Sequence, residues 1–150
     1  MAQPIFALSL WQPWATLIAI KAKRFETRSW QTAYRGPLVI HAAKTWNRKL
    51  SFLIRHQEPF SSVLKAAGYP VVTSYPLPLG AALCVADLVE CWPTEHVLRH
   101  MSDQERAFGD FTPGRFAWEL RNVRPFPKPI RWGGAQGLWR WTGPLPETEV

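Results

Sequence analysis

The chain has 150 residues, and its 18 Lys and Arg side chains against 11 Asp and Glu give a formal net charge of +7. No apolar run reaches the roughly 18 residues needed to span a bilayer, and the opening Met1 to Pro4 lacks the character of a signal peptide, so we expect a cytoplasmic protein without a membrane segment. No linker or low-complexity tract divides the chain, which predicts one domain over residues 1–150.

The basic residues are spread along the whole sequence. This distribution favours a basic face on a folded body over a disordered tail, and such a face attracts polyanions, specifically or non-specifically. Cys84 and Cys91 lie in one apolar run at odd spacing, which predicts reduced core thiols on opposite faces of a strand.

The first half of the chain predicts strands and helices in alternation. Ile5 to Leu10 is short and apolar, as expected for a buried strand, and Pro13 suits the first turn of a helix. The following predicted elements are a strand from Phe25 to Trp30, a strand from Leu38 to Ala42, a helix capped by Asn47, and a short helix from Ser61 or Ser62 to Gly68.

The second half begins with a proline-containing loop, predicted from Tyr69 to Leu79. Gly80 to Trp92 is the longest apolar run and predicts a central strand. Ser102 to Glu105 has the Ser-x-x-Glu form of a capping box and predicts a short helix. Arg115 to Pro125 and Leu138 to Thr142 complete the strands, so the sequence predicts an α+β fold built on a small mixed β-barrel.

Charged side chains are concentrated at the second predicted strand. Because side chains alternate along a strand, Glu26, Arg28 and Trp30 share one face, and Lys23 approaches from the preceding turn. A functional interpretation places these groups around a polar cavity, where the carboxylate accepts hydrogen bonds from a base and the cations hold an anion. The alternative is a structural ion pair of Glu26 with Arg28 or Arg24.

Three motifs early in the chain resemble the signature of the ASCH family. They read SLWQPWATLI at 9–18, KRFETRSW at 23–30 and YRGPLVIHA at 34–42, and the segments 107–120 and 137–139 resemble the family's ending. The resemblance covers nearly the whole chain. It implies a PUA-like fold, a small mixed β-barrel with peripheral helices.

The same resemblance suggests a hydrolase hypothesis. Some ASCH-type proteins are amidohydrolases acting on N4-acylated cytidine, with a Lys and a Thr in a KxxTxR arrangement and a Glu as third partner. Lys23 and Arg28 match this pattern, whereas Glu26 stands in the Thr position. As catalytic residues, Glu26 would be the general base and Lys23 an electrophile or proton donor, with Glu105 or Asp110 as third partner. A single-strand ribonuclease is a further possibility of this class.

The leading prediction is a site that binds RNA or other single-stranded nucleic acid. Cations would hold phosphates, and aromatic rings would stack the bases. The residues assigned to this site, in addition to Glu26, are Gln12, Trp14, Arg28, Arg35, Lys44, Arg115 and Trp139. The glycine-rich segment 131–137 can bring backbone N–H groups to a phosphate or form a β-turn, and it lacks the form of a nucleotide-triphosphate loop.

No cofactor or metal is predicted. His96 and His100 have a spacing that can chelate zinc, but no companion motif exists and a solvated helix face is favoured. The expected ligand is RNA, another single-stranded nucleic acid or a modified nucleoside. A third class, a small-ligand or protein-interaction domain with incidental positive charge, stays open, and the sequence does not indicate an oligomeric state.

Overall fold

The structure, a computed structural model, describes residues 3–69 and 77–146. The strands in this part of the chain are β1 (Ile5–Leu10), β2 (Phe25–Arg28), β3 (Gly36–Ala42), β4 (Ala81–Pro93), β5 (Phe116–Arg131) and β6 (Leu138–Trp141). The helices are α1 (Trp14–Ala19), α2 (Arg48–His56), α3 (Phe60–Ala66), α4 (Thr94–Val97) and α5 (Asp103–Ala107), with a 3₁₀ turn at Leu98–His100.

The strands form one mixed sheet in the order β2-β5-β4-β3-β1-β6. The neighbours β1 and β3 run parallel, and the other neighbouring pairs are antiparallel. A parallel pair needs a crossover connection, and α1 and β2 lie within it. This arrangement confirms the α+β fold class.

The sheet is not closed into the barrel that the sequence predicts. Within the described residues, β2 pairs with β5 alone and β6 with β1 alone, and no ladder joins these two four-residue edge strands. The pairing of β4 with β5 shifts register at three places. Such bulges bend and twist a sheet, so this one curves without closing.

Two clusters of buried side chains hold α1 in place. Ile18 packs against the sheet in the main core, and Leu17 packs against α2, α3 and the segment after α5. Both side chains are fully buried. Because α1 is packed on both sides, the end of β1 and the start of α1 have a fixed position. A third cluster covers the opposite face of the sheet and contains Ala7, Val39, Ala82, Val85, Phe126 and Trp141.

The predicted elements agree with the structure except at their ends. The strand expected to reach Trp30 ends at Arg28, and α3 begins at Phe60. β5 continues beyond Pro125 because Arg131 pairs with the start of β4, and the intervening prolines lie where the pairing is irregular. Asn47 caps α2 through its side chain, as predicted. The predicted loop from Tyr69 to Leu79 lies largely outside the described residues.

Candidate nucleic-acid site

A cleft of about 1140 Å³ opens where several distant segments of the chain meet. The end of β1 and the start of α1 form part of its wall, and β2 contributes Glu26, Thr27 and Arg28. Lys44 follows β3, and the remaining walls are the segments 107–110 and 133–137. This volume slightly exceeds the usual range of small-molecule pockets, so the cleft has room for more than one nucleotide unit.

Glu26 and Arg28 lie on one face of β2 and form an ion pair. Nε of Arg28 donates to Oε2 of Glu26 at 3.0 Å, and a terminal nitrogen of Arg28 donates to the carbonyl of Ser9, also at 3.0 Å. The second bond ties β2 to the end of β1 across the cleft. Glu26 is 9% exposed, so its carboxylate reaches the cleft while most of the side chain is buried.

Lys23 lies behind Glu26 rather than in the open cleft. The residue is 1% exposed, and its Nζ lies 3.9 Å from Oε1 of Glu26 and donates to the carbonyl of Phe108 at 3.0 Å. Burial lowers the pKa of Lys23 below its usual value, and the carboxylates of Glu26 and Glu105 oppose this shift. The structure therefore brings Lys23, Glu26 and Arg28 together, with the lysine as the inner member.

Glu105 is buried, and its carboxylate faces the start of β2. The carboxylate accepts hydrogen bonds from the backbone N–H groups of Arg24 at 2.8 Å and Phe25 at 3.4 Å. Burial raises the pKa of Glu105, and the hydrogen bond from Arg24 opposes the rise. The capping box is therefore only half formed: Ser102 accepts from the N–H of Glu105, but the Glu105 side chain serves another element.

Asp110, the other candidate for a third catalytic partner, is exposed on the cleft wall. The hydroxyl and N–H of Thr112 bond to Oδ1 of Asp110, and these bonds lower the pKa of the carboxyl group. Oδ2 lies 3.5 Å from Nε of Arg115. Asp110 is thus positioned to orient Arg115.

Three of the predicted phosphate-binding cations line the cleft: Arg28, Lys44 and Arg115. Arg115 donates to the carbonyl of Asp110 at 3.1 Å and to that of Thr27 at 3.4 Å. Bonds to carbonyl groups hold the two guanidinium groups in place, and each group is also paired with a carboxylate, Arg28 with Glu26 and Arg115 with Asp110. Lys44 is exposed at the cleft wall, so its ammonium group is accessible to an anion.

Three other predicted site residues lie outside the cleft. Gln12 is fully buried, and its amide donates to Thr16 and to the carbonyl of Pro78 while accepting from the N–H of Thr16. Both amide protons are used internally, so Gln12 has none with which to read a base. Arg35 is bound to Glu90 and to nearby carbonyl groups.

Trp139 is the third of these residues. Its ring packs edge-on against His41 with centroids 5.4 Å apart, and its Nε1 donates to Oγ of Ser9 at 3.2 Å. Alternation along β6 places Trp139 opposite Ala7, on the face of the sheet that the third cluster covers. The ring therefore supports the cleft wall from behind.

The aromatic rings that do line the cleft are Trp11, Trp14 and Trp30. Trp11 is 52% exposed. Trp14 is half-buried and meets Phe60 edge-on at 6.0 Å, and Trp30 meets the buried Trp118 at 4.8 Å. Trp11 is therefore the most accessible of the three faces, although the sequence analysis assigned Trp14 and Trp139, not Trp11, to the site.

A directed chain of hydrogen bonds fixes the glycine-rich wall of the cleft. Nε2 of His41 lies 2.7 Å from the carbonyl of Trp132, which can only accept, so Nε2 carries the proton. Nδ1 then accepts from the hydroxyl of Ser9 at 2.9 Å, and Oγ of Ser9 accepts from Nε1 of Trp139. Burial lowers the pKa of His41, which favours the neutral ring that this chain requires.

Gly134 lies against this chain. A β-carbon at position 134 would lie 2.6 Å from both Cε1 of His41 and Oγ of Ser9, so only glycine fits without a shift. The sequence analysis did not assign Ser9 to the site. Two features of the sequence could have indicated the Ser9–His41 contact: each residue is a polar residue near the end of an apolar strand, and the chain contains the glycine-rich segment 131–137.

The family model of the ASCH domain matches residues 8–130. The chain belongs to the ASCH family. Activating signal cointegrator 1 of Mus musculus is 34% identical to this ASCH chain over 86 residues, which are 57% of this chain and 14% of that protein. The chain thus spans a small part of that relative's length.

The fold of this ASCH chain is also similar to crystal structures of ASCH from Zymomonas mobilis. The crystal structure of the unaltered Zymomonas ASCH protein matches with a TM-score of 0.49 and 18% identity, and the match covers 85% of this chain and 73% of that chain. A mutant of the Zymomonas protein has a TM-score of 0.49 and 17% identity, covering 86% and 76% of the two chains.

Two further properties concern the described part of the chain. It contains no helix with the length and apolar character required to cross a bilayer. Nor does it contain a group of three or more His, Cys, Asp or Glu side chains that could hold a metal ion. His96 and His100 lie on separate elements, α4 and the 3₁₀ turn, so they do not share one helix face.

Proposed function

We propose that this ASCH chain binds single-stranded nucleic acid, with RNA as the favoured ligand, in the cleft between β1, β2 and the 133–137 segment. The observation that carries the proposal is the combination in one cleft of three cations, Arg28, Lys44 and Arg115, with three tryptophan rings. The association of the ASCH family with RNA binding supports it.

The chemistry of the cleft suits the two parts of a nucleotide. Phosphates are attracted by guanidinium and ammonium groups, and Arg28 and Arg115 are held by carbonyl groups in fixed positions. Bases stack on exposed aromatic faces, at roughly 1–3 kcal/mol per base, and Trp11 offers such a face. The carboxylate of Glu26 can accept a hydrogen bond from the exocyclic amino group of a base.

Replacing Trp11 with Ala tests the stacking part of this proposal. Because Trp11 is 52% exposed, the substitution should leave folding intact and weaken RNA binding by roughly 1–3 kcal/mol, measured by fluorescence anisotropy. Trp92→Ala is the matched control, since Trp92 is 38% exposed and lies outside the cleft. Equal affinities of the two variants would contradict stacking in the cleft.

The dependence of RNA affinity on salt concentration tests whether the cations of the cleft bind phosphates. The affinity for single-stranded RNA should fall as salt rises, with a slope of roughly −0.7 per phosphate contact. Arg115→Gln should make that slope shallower by about one such contact, because it removes one cation from the cleft wall. A salt-independent affinity, or no binding at low salt, would overturn the nucleic-acid proposal.

A second candidate function is hydrolysis of an acylated cytidine or of RNA at the same cleft. The observation that favours it is the buried Lys23, whose pKa is lowered and whose Nζ lies 3.9 Å from the Glu26 carboxylate. Glu26 would take a proton from water as the water oxygen attacks the acyl carbon or the phosphorus. Lys23 would favour the developing negative charge, and the proton would pass to the leaving group.

Glu26→Gln separates the two functions. The amide keeps the size and hydrogen-bonding capacity of the side chain but cannot act as a general base. If the cleft is a binding site alone, RNA affinity should change little; if it is catalytic, turnover of N4-acetylcytidine or of single-stranded RNA should be lost. Absence of turnover by the unaltered protein on both substrates would refute the hydrolase candidate.

A further inference from the structure

Outside the cleft, α2 presents a second basic surface. Its inward residues Leu50 and Ile54 are buried, and Ile54 packs in the cluster that contains Leu17 of α1, whereas the outer side of α2 is exposed. We name this outer side the α2 face, and it consists of Arg48, Lys49, Phe52, Arg55 and His56.

The charge of the α2 face is not neutralised within the described residues. The helix contains no Asp or Glu, and its Arg and Lys side chains take part in none of the salt bridges of the described chain. Three permanent cations within nine residues therefore attract a polyanion, and they disfavour an apolar or basic partner.

An aromatic pair lies among these cations. Phe52 is 57% exposed, and its ring centroid lies 4.9 Å from that of His56. A single exposed apolar ring is ordinary on a protein surface. Its position between Lys49 and Arg55 gives the face the two properties that single-stranded RNA uses, charge for phosphates and a ring for a base.

The α2 face is connected to the cleft by a short segment. Lys44 lines the cleft, and Arg48 follows it by four residues, so their Cα atoms are at most about 14 Å apart even in a fully extended chain. A nucleic-acid strand that leaves the cleft beside Lys44 can therefore meet the α2 face within a few nucleotides.

We propose that the α2 face is a second contact for the strand held in the cleft, so that the preferred ligand is an RNA segment several nucleotides long. The inference rests on the proposed nucleic-acid function. An acidic membrane surface is the other polyanion to consider. A helix that lies on a membrane inserts a broad apolar face, but here the apolar side of α2, with Leu50 and Ile54, is buried in the protein.

The test compares Lys49→Glu and Phe52→Ala with a control on another element. Lys128→Glu makes the same change in net charge at an exposed position of β5. The probes are a trinucleotide of RNA and a single strand of about twelve nucleotides, within the range of site sizes known for small single-strand-binding folds. Glu at position 49 is compatible with α2, because an acidic group suits the first turn of a helix.

For the longer strand, Lys49→Glu should weaken binding by roughly 3- to 10-fold and make the salt slope shallower by about 0.7. Phe52→Ala should weaken binding by roughly tenfold. Trinucleotide binding should not change in either variant, and Lys128→Glu should have a clearly smaller effect on the longer strand.

Several results would overturn the inference. Equal losses in Lys49→Glu and Lys128→Glu would indicate diffuse charge, and equal losses for the short and long strands would remove the α2 face as an extension of the cleft. Loss of binding to vesicles rich in phosphatidylserine, with RNA binding unchanged, would assign the face to a membrane.

These outcomes are distinguishable from failure of the proposed function. If Trp11→Ala leaves RNA affinity unchanged, the cleft proposal fails. If Trp11→Ala weakens the long strand but Lys49→Glu and Phe52→Ala do not, the cleft proposal stands and only the α2 face is rejected. If the trinucleotide binds too weakly to measure, the affinities of Lys49→Glu, Phe52→Ala and Lys128→Glu for the longer strand still show whether the α2 face contacts RNA.

Discussion

Gly134→Ala tests whether the chain from Trp139 through Ser9 and His41 to Trp132 holds the glycine-rich wall in place. The added β-carbon would lie 2.6 Å from Cε1 of His41 and 2.6 Å from Oγ of Ser9. Neither group can yield easily, because His41 is 2% exposed and both of its ring nitrogens are hydrogen-bonded. The overlap must therefore be relieved by movement of the 133–137 segment away from β1 and β3.

The size of the effect follows from what this movement disrupts. Overpacking of a well-packed site costs about 1–3 kcal/mol. Breaking the 2.7 Å hydrogen bond between His41 and the carbonyl of Trp132 adds about 1 kcal/mol. We expect the free energy of unfolding to fall by about 2–4 kcal/mol, which corresponds to about 4–16 °C in Tm for a domain of this size. RNA affinity per folded molecule should also fall, since the cleft loses a wall.

Gly133→Ala is the matched control. A β-carbon at position 133 has no heavy atom within 4 Å, so it fits in open space. Alanine also restricts the unfolded chain, so this variant should be unchanged or more stable by about 0.4–1 kcal/mol. Urea unfolding followed by tryptophan fluorescence measures both variants. The same unfolding midpoint for Gly134→Ala and Gly133→Ala would refute the role of the Ser9–His41 chain.

Burial raises the pKa of Glu105 above its ordinary value of 4.5. The contribution of this group to the stability of the folded state is therefore fully present below pH 4.5, and it is lost as pH rises through the folded pKa. Glu105→Gln should flatten this decline in urea-unfolding free energies measured between about pH 4 and pH 7, and an unchanged pH profile would contradict the assignment. Gln12→Ala should lower the free energy of unfolding by about 2–4 kcal/mol, because it removes three hydrogen bonds of a buried side chain, but leave RNA affinity per folded molecule intact. Arg35→Ala should leave RNA affinity unchanged in anisotropy titrations, and a loss as large as that of Arg115→Gln would place Arg35 in the site after all.

Alternation along β2 was sufficient to predict that Glu26 and Arg28 share a face, because β2 is short and pairs with β5 in regular register. The same rule is wrong for β4. Cys84 and Cys91, expected on opposite faces, both contribute to the main core, since the register shift between Leu88 and Glu90 changes the phase of the strand. The pattern of apolar residues in this run does not predict where such a bulge occurs.

Sequence reasoning was also limited where the partner of a side chain lies far along the chain. Gln12 is next to the signature tryptophans, but its amide is used by Pro78, 66 residues away. Arg35 lies between β2 and β3, and its partner Glu90 is 55 residues away along the chain. Glu105 fits a local capping pattern, and its carboxylate instead bonds to the N–H of Arg24, 81 residues away. Local motifs located the cleft, but long-range hydrogen bonds decide which side chains face it.

The position of β1 has a consequence for the synthesis of this protein. Among the described strands β1 comes first along the chain, yet in the finished sheet it lies between β3 and β6. Its pairing with β3 can form once residue 42 has emerged from the ribosome, but the wall at 133–137 and the support from β6 become available only after residues 133–141 have been made. A nascent chain in which β6 has not yet been made therefore lacks a complete cleft.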